Sequence, residues 1–318
     1  MSKISLVAGG AGFIGSHLCT KLLRKGNKVI CLDNLSTGNK KNIQPFLDNK
    51  NFRFIQGDVT DSVIFQNLNN FRIKEIYHLA SPAAVTYIVE YPVDAAEANS
   101  IGTKNLLKLA LKKNAKFLFA SSSEVYGNPK EHPQKETYWG NVNPVGVRSG
   151  YDEGKRFGEA LTMGYARQYN VDVKIVRIFN TYGPNSSSND SRVIPQFLMQ
   201  ALLGKSLTVH GDGTQTRSLC FVSDLVEGII LAMESEETGP INLGNPEEYR
   251  VIDIAHKIIF LTKSFSKTTF VERPKDDPNK RRPDISFAHN KLKWSPKVSF
   301  SQGLEKTIKY FRGIIREY

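Results

Sequence analysis

The sequence predicts an α/β fold: a doubly wound parallel sheet with a smaller α/β lobe beside it. Three observations predict it. Short apolar runs recur at 4–7, 29–32, 52–55, 76–80, 116–120 and 175–178, each suited to a strand buried on both faces. Segments of helical periodicity lie between them, so strands and helices alternate and give five or six parallel strands. The first run is followed at once by Gly9-Gly-Ala-Gly12-Phe-Ile-Gly15, a glycine-rich turn opening a helix with Leu18, Leu22 and Leu23 inward.

The glycine turn explains the first element. Gly9, Gly12 and Gly15 let the backbone approach a pyrophosphate, and the helix N-terminus supplies N–H groups and dipole to the anion. A glycine trio alone is weak; its place between strand and helix makes it a Rossmann-like dinucleotide signal. Asp33 ends the second run, eighteen residues past Gly15. A carboxylate there accepts from both hydroxyls of an adenosine ribose and repels a 2′-phosphate, which predicts NAD over NADP. Asp58, after the third run, is placed to reach adenine. Phe13, Ile14, Asn34, Val59, Leu79, Ala80, Ser81 and Asn99 complete the expected cofactor-binding set. His78 lies inside an apolar strand and reads as a packed core histidine.

The run at 116–120 leads into Ser121-Ser-Ser-Glu-Val-Tyr-Gly127. Tyr151 and Lys155 are four residues apart, on one face of a helix whose phase continues through Phe157, Leu161 and Tyr165. An ammonium beside a phenol favours the phenolate and lowers its pKa, so Tyr151 is expected to be a base for a sugar hydroxyl. Strand-end serines can meet that helix and hold the same hydroxyl. Such Tyr/Lys pairs are common on exposed helices; the preceding strand gives this one its weight.

The second half is more irregular. It predicts a helix near 195–203, a strand and tight turn at 208–214, a strand at 218–222 and a helix from Asp224 to near Met233. A Ser-rich loop at 185–191 leaves the sheet. A polar stretch at 275–282 ends in Lys280, Arg281 and Arg282, and the last helix sets Leu304, Ile308, Phe311 and Ile315 on one face. The expected division is a nucleotide-binding domain at 1–178, rejoined by a returning segment near 217–233, and a smaller substrate-binding lobe at 179–318. Substrate is expected between them, outside the strand ends.

Composition excludes several function classes. The chain has 318 residues and a net charge of +12, but its lysines are spread throughout without interleaved aromatics, so no nucleic-acid partner is expected. No run of about eighteen apolar residues occurs, so no membrane span is expected. Cys19, Cys31 and Cys220 show no metal spacing. An odd cysteine count and a start running straight into a strand, without a signal peptide, predict the cytoplasm. The sequons at Asn34, Asn185 and Asn189 then carry no meaning.

Gly9 to Gly15, Asp33, Asp58, His78-Leu-Ala80, the serine string and Tyr151-x-x-x-Lys155 together resemble the extended short-chain dehydrogenase/reductases, over nearly the whole chain. Within them the chain resembles the UDP-glucuronic acid decarboxylase (UDP-xylose synthase) family. The strings that carry this are Tyr138-Trp-Gly-Asn-Val-Asn-Pro144, Tyr151-Asp-Glu-Gly-Lys-Arg156, Arg177-Ile-Phe-Asn180, Gln215-Thr-Arg217, Asn242-Leu-Gly-Asn-Pro-Glu-Glu248 and Asp276-Asp-Pro-Asn-Lys-Arg-Arg-Pro-Asp284.

The resemblance implies a tightly bound NAD, regenerated each cycle, and a UDP-sugar oxidised at C4 so that its C6 carboxylate leaves as carbon dioxide. It implies Tyr151 as base, Lys155 as the group that lowers its pKa and Ser122 as a partner of the O4 hydroxyl. Ser123 and Glu124 match the decarboxylases' Ser-Glu pair, and Arg281 matches an arginine that stabilises the enolate or protonates C5. Tyr87, Asn180, Arg192, Arg217 and Arg281 match substrate-binding positions. Two loops depart from the pattern: Ala84-Val-Thr-Tyr87-Ile sets its Tyr one place early, and Asn185-Ser-Ser-Ser188 replaces an Arg-Met-x-Met-like stretch.

Relatives pair helices into a four-helix bundle, which implies a homodimer with Ala95, Ala98, Leu106, Leu109, Phe157, Leu161 and Tyr165 as apolar surface. A UDP-sugar 4-epimerase would share Tyr151, Lys155 and NAD but has no use for Ser123-Glu124. A dTDP-glucose-type 4,6-dehydratase carries Asp-Glu there, whereas GDP-mannose dehydratases carry Ser-Glu. A non-catalytic NAD-binding regulator is the reading from another class, and intact Ser122, Tyr151 and Lys155 argue against it.

Overall fold

The structure is a computed structural model that describes residues 2–273 and 280–316. Its first half alternates as the apolar runs require: β1 (Ile4–Ala8), α1 (Phe13–Arg24), β2 (Lys28–Asp33), β3 (Phe52–Gln56), β4 (Ile73–His78), α2 (Val85–Glu90), α3 (Pro92–Glu97), α4 (Thr103–Lys113), β5 (Lys116–Ser122), α5 (Ser149–Tyr169) and β6 (Val173–Ile178). Asn114 and Asn170 end α4 and α5 in the left-handed region, at φ 47° and 55°, which Asn tolerates better than most residues.

The second half continues with β7 (Thr181–Tyr182), α6 (Val193–Leu202), β8 (Leu207–His210), β9 (Thr216–Ser218), β10 (Cys220–Phe221), α7 (Val222–Glu234), β11 (Ile241–Leu243), β12 (Glu248–Arg250), α8 (Val251–Thr262), β13 (Thr268–Val271), α9 (Ser286–Leu292) and α10 (Phe300–Arg316). The expected strand at 218–222 is two strands. At Leu219 the chain changes partner, from β12 antiparallel to β7 parallel, and Val222 already belongs to α7.

The central sheet runs β11-β6-β5-β4-β1-β2-β3, with every pairing parallel. It has seven strands among the described residues, not five or six. The extra one, β11, is three residues long and shows no apolar run; it is a strand because Ile241 and Leu243 pair with Val176 and Ile178 of β6. Strand order reverses between β1 and β4, so the loops there diverge and leave a crevice at the strand ends. α7 rejoins the sheet's core before β11. Its Asp224 accepts from the N–H groups of Lys297 and Val298 at 2.8 Å each, and its carbonyl accepts from the Trp294 indole at 2.9 Å, tying the C-terminal segment to the sheet.

The apolar surface expected for a dimer is largely internal. Leu106 and Leu109 pack into the core with β5, and Ala95 packs with Ile88 and Tyr151, because α3 and α4 need those faces to cover the sheet and α5. Ala98 is buried as well. Of the expected set, Phe157 is exposed, and Leu161 and Tyr165 are half-buried. On α10, Leu304, Ile308 and Phe311 are buried as expected, while Ile315 is half-buried. Lys275 and the 276–279 part of the decarboxylase-like string lie outside the described residues. No helix among the described residues is long and apolar enough to cross a membrane.

Gly158 lets α5 lie close against β5: a Cβ there would lie 2.3 Å from Cζ of Phe119. Gly158→Ala gains about 1 kcal/mol of helix propensity. It loses about 1–3 kcal/mol by overpacking a buried ring. The clash wins, and a lower urea midpoint is expected; an unchanged or higher midpoint would show that α5 can slide off β5.

Candidate active site

A cavity of about 1560 Å³ opens at the strand ends, lined from both halves of the chain. Gly9, at φ 81°, leaves no room for a side chain: a Cβ would lie 2.7 Å from the Ala80 nitrogen. At Gly15 a Cβ would lie 2.0 Å from the Gly9 carbonyl oxygen, so the turn must be glycine at both places. Gly12 meets only that oxygen, at 3.2 Å, and caps α1 without a side-chain hydrogen bond. A bare turn and an uncapped helix N-terminus facing a cavity fit a pyrophosphate.

Asp33 sits at the end of β2, 7% exposed. Its carboxylate accepts from the N–H groups of Ala11 and Leu35 at 2.9 and 2.8 Å. Burial raises its pKa, opposed by those backbone N–H groups. Asn34 donates to Asp58 at 2.6 Å, joining the two residues expected around adenosine. Phe13, Ile14, Val59, Leu79, Ala80 and Ser81 line the same wall. The Asn99 amide donates to Ser81 Oγ at 2.9 Å and to the Ala95 carbonyl at 2.8 Å, while its Oδ1 is buried without a partner among the described residues. The residues lining the wall fit NAD, whereas Asn99, expected among them, is fully buried and not among the lining residues. His78 is a core residue: burial pushes its pKa down to about 3, with Lys155 adding to the effect. Thr103 gives its only hydroxyl proton to the Asn99 carbonyl at 2.7 Å, so His78 Nε2 is the donor in its 3.0 Å bond to Thr103 Oγ1.

At the end of β5 the chain turns through Ser122, Ser123 and Glu124, with Ser122 Oγ accepting from the Glu124 N–H at 3.2 Å. Tyr151 and Lys155 come to the same place from the first turns of α5. The expected effect of Lys155 on Tyr151 is not what the structure shows. Burial pushes the Tyr151 phenol up to about 12, opposed chiefly by its hydrogen bond with Ser122. Burial pushes Lys155 down to about 7, opposed by Glu159. The ammonium donates to the Ala120 carbonyl at 2.7 Å and lies 5.6 Å from the Tyr151 ring centre. Desolvation outweighs the pair's mutual effect.

Glu124 is the most heavily paired group of the site. One carboxylate oxygen accepts from Arg281, and the other from Arg148 at 2.5 Å. Burial raises its pKa, and Arg281, Arg148 and Arg217 together overcome that and hold it below the usual carboxylate range. Arg281 also donates to the Gly127 carbonyl at 3.1 Å. Arg217, on β9, donates to the Thr216 carbonyl at 2.8 Å and lines the cavity, as do Asn180 and Arg192. Arg192 is held by both oxygens of Asp190, at 2.8 and 3.0 Å.

The two departing loops border the cavity. Tyr87 is half-buried on α2, its hydroxyl donating to Asp94 at 3.0 Å. In the 185–188 loop, Asn185 donates to Ser16 Oγ at 3.1 Å, docking it on α1.

Sequence reasoning missed Arg148 and Asp152. Arg148 had one signal, a cation three residues ahead of Tyr151 on the same helical face. Asp152 had none, since an acid in a helix's first turn is ordinary.

The family described as GDP-mannose 4,6 dehydratase matches residues 6–307. UDP-glucuronic acid decarboxylase 4 of Arabidopsis thaliana is 49% identical over 96% of this chain and 68% of that protein. UDP-glucuronic acid decarboxylase 1 of Xenopus tropicalis is 45% identical over 98% of this chain and 72% of its own. Among solved structures, the UDP-glucose 4-epimerase of Thermotoga maritima with UDP-glucose has a TM-score of 0.91 and 32% identity, covering 98% of this chain and 99% of its own. The dTDP-glucose 4,6-dehydratase of Bacillus anthracis in complex with NAD has a TM-score of 0.87 and 26% identity, covering 98% and 97%. Glycine turn, Asp33, Tyr151 and Lys155 around one crevice agree with these likenesses: the chain belongs to the extended short-chain dehydrogenase/reductases, in the family described as GDP-mannose 4,6 dehydratase and alongside the UDP-glucuronic acid decarboxylases.

Proposed function

We propose that this protein decarboxylates UDP-glucuronic acid to UDP-xylose with bound NAD. The observation that carries the reading is Glu124 held between Arg148 and Arg281 beside Tyr151 and Ser122, in a chain nearly half identical to decarboxylases of that substrate. The residues of 1–178, with the returning segment, hold the cofactor, and those of 179–318 hold the nucleotide sugar.

NAD, when bound, supplies the reversible hydride chemistry at C4 of the sugar. Ser122 would hold the O4 hydroxyl and Tyr151, as the phenolate, would take its proton; burial opposes that form in the free site and the Ser122 hydrogen bond favours it. With C4 a ketone, the C6 carboxylate is β to a carbonyl, and its carbon–carbon bond breaks with the electrons delocalised as an enolate. Arg281 is the cation that meets this charge, held in place by Glu124 and the Gly127 carbonyl. Tyr151 returns its proton to O4 when C4 is reduced again. Asn180, Arg192 and Arg217, which line the cavity, bind the sugar and diphosphate.

We also propose a cytoplasmic homodimer through α3 and α5. Its support is the apolar surface these helices leave outward: Val93 is 64% and Phe157 53% exposed. Phe157→Glu should shift sedimentation at micromolar concentration from dimer to monomer; a wild-type monomer mass would remove the proposal.

Tyr151→Phe removes the proton acceptor, and both reduced cofactor and carbon dioxide should fall by about 10²–10⁴-fold. Arg281→Ala leaves that acceptor in place and removes the cation at the enolate. In a single turnover with UDP-glucuronic acid it should still reduce bound NAD but release about 10²-fold less carbon dioxide. Equal loss of both signals would assign Arg281 to substrate binding alone. A wild-type product of unchanged mass, by mass spectrometry, would replace decarboxylation with epimerisation.

A further inference from the structure

A decarboxylation leaves one requirement unmet by the groups above. When the carboxylate departs as carbon dioxide, C5 gains a hydrogen, so each turnover takes up one proton. Tyr151 cannot supply it: the proton it takes from O4 goes back to O4. The proton must enter from solvent while the reacting sugar fills the main cavity.

A second, smaller cavity of about 270 Å³ lies behind Glu124. It shares Glu124, Arg148 and Arg281 with the main cavity, so these three form the partition between the two. Asp152 lines only the smaller cavity, directly after Tyr151 in the first turn of α5. It is 9% exposed, and its Oδ1 is buried with no hydrogen-bond partner among the described residues. A buried carboxylate would be expected to find donors; an uncharged acid tolerates such a place better.

We propose that this second cavity is the solvent side of a proton path, and that Asp152 is the acid that supplies, through Glu124, the proton delivered to C5. The proposal rests on the decarboxylase reading. The Asp152 O–H bond breaks as its proton passes, by way of water in the smaller cavity that both residues line, to the Glu124 carboxylate. Glu124 gives that proton to C5, where the enolate's electron pair forms the new C–H bond. The Asp152 carboxylate is then reprotonated by water in the smaller cavity, and the net uptake is one solvent proton.

The surrounding charges suit this order. Burial and then Glu124 raise the Asp152 carboxyl to about 7, with Glu153 adding and Arg148 and Arg281 opposing. Asp152 therefore holds a proton through the acid side of neutrality. Glu124, held low by its two guanidiniums, releases a proton quickly once it receives one. Asp152 acts through Glu124 and is a proton-positioning residue; Glu124 is the group that meets the substrate.

The test is Asp152→Asn, close in shape and unable to donate an acid proton. In a single turnover with UDP-glucuronic acid, carbon dioxide release should stay within a few-fold of wild type. UDP-xylose should appear about 10²-fold more slowly, with the 4-keto pentose nucleotide accumulating in its place. Wild-type UDP-xylose formation should fall as pH rises through neutrality, and this limb should vanish in the variant. Equal loss of carbon dioxide and UDP-xylose would make Asp152 merely structural and overturn the proposal, as would an unchanged product and pH profile. A variant that does not fold leaves the wild-type profile to decide: a flat rate through neutrality overturns the path. Failure of wild type to release carbon dioxide at all would instead sink the decarboxylase reading.

Discussion

A charged carboxylate at the end of a buried strand is costly unless it is matched, and Glu124 is matched twice. One guanidinium, Arg148, comes from the turn that starts the Tyr151 helix, and the other, Arg281, comes from the C-terminal half. The pairing thereby joins the three pieces of chain that meet at the sugar's expected place. Removing either partner would leave a buried charge undercompensated, the situation that costs most in a folded protein. The site's geometry depends on this clamp more than on any apolar contact around it.

A second polar network supports it from behind. Arg177 of β6 binds Glu159 of α5 through two hydrogen bonds, at 2.9 and 2.8 Å, and donates to the Tyr126 hydroxyl at 3.0 Å. Ser121 adds a 2.5 Å bond to Glu159, and Tyr126 donates to Asn242 of β11 at 2.7 Å. One arginine thus links β5, α5, β6 and the edge strand. Glu159 is also the carboxylate that opposes the loss of charge on Lys155, so the support network reaches the site electrostatically. A fully satisfied buried network of this kind fixes where α5 sits on the sheet, and with it Tyr151.

The structural likeness to epimerases and dehydratases has a physical basis in this arrangement. All that C4 oxidation needs is a cofactor crevice, a phenol, a serine and a lysine at the strand ends, and the sheet supplies places for them. What differs between reactions lies in the next step, where charge appears on the substrate. Here that region holds a carboxylate and two guanidiniums, a distribution suited to an enolate and to moving a proton.

The sequence by itself determined the sheet's first six strands, the dinucleotide turn, Asp33 at its strand end and the shared face of Tyr151 and Lys155. Each is local: a periodicity, a glycine placement or a four-residue spacing, set by backbone geometry within one or two elements. Tertiary structure alone decided the rest. β11 is a strand because β6 lies beside it, and Leu106 and Leu109 are interior because α4 spends them on the sheet. Lys155 donates to the Ala120 carbonyl, and burial drives the Tyr151 phenol up and Lys155 down, which a spacing argument does not foresee. Arg281 finds Glu124 across 157 residues, and packing raises the Asp152 carboxyl to about 7 by burying it near Glu124. Desolvation and long-range pairing depend on what surrounds a group in space, and a linear pattern holds no record of that.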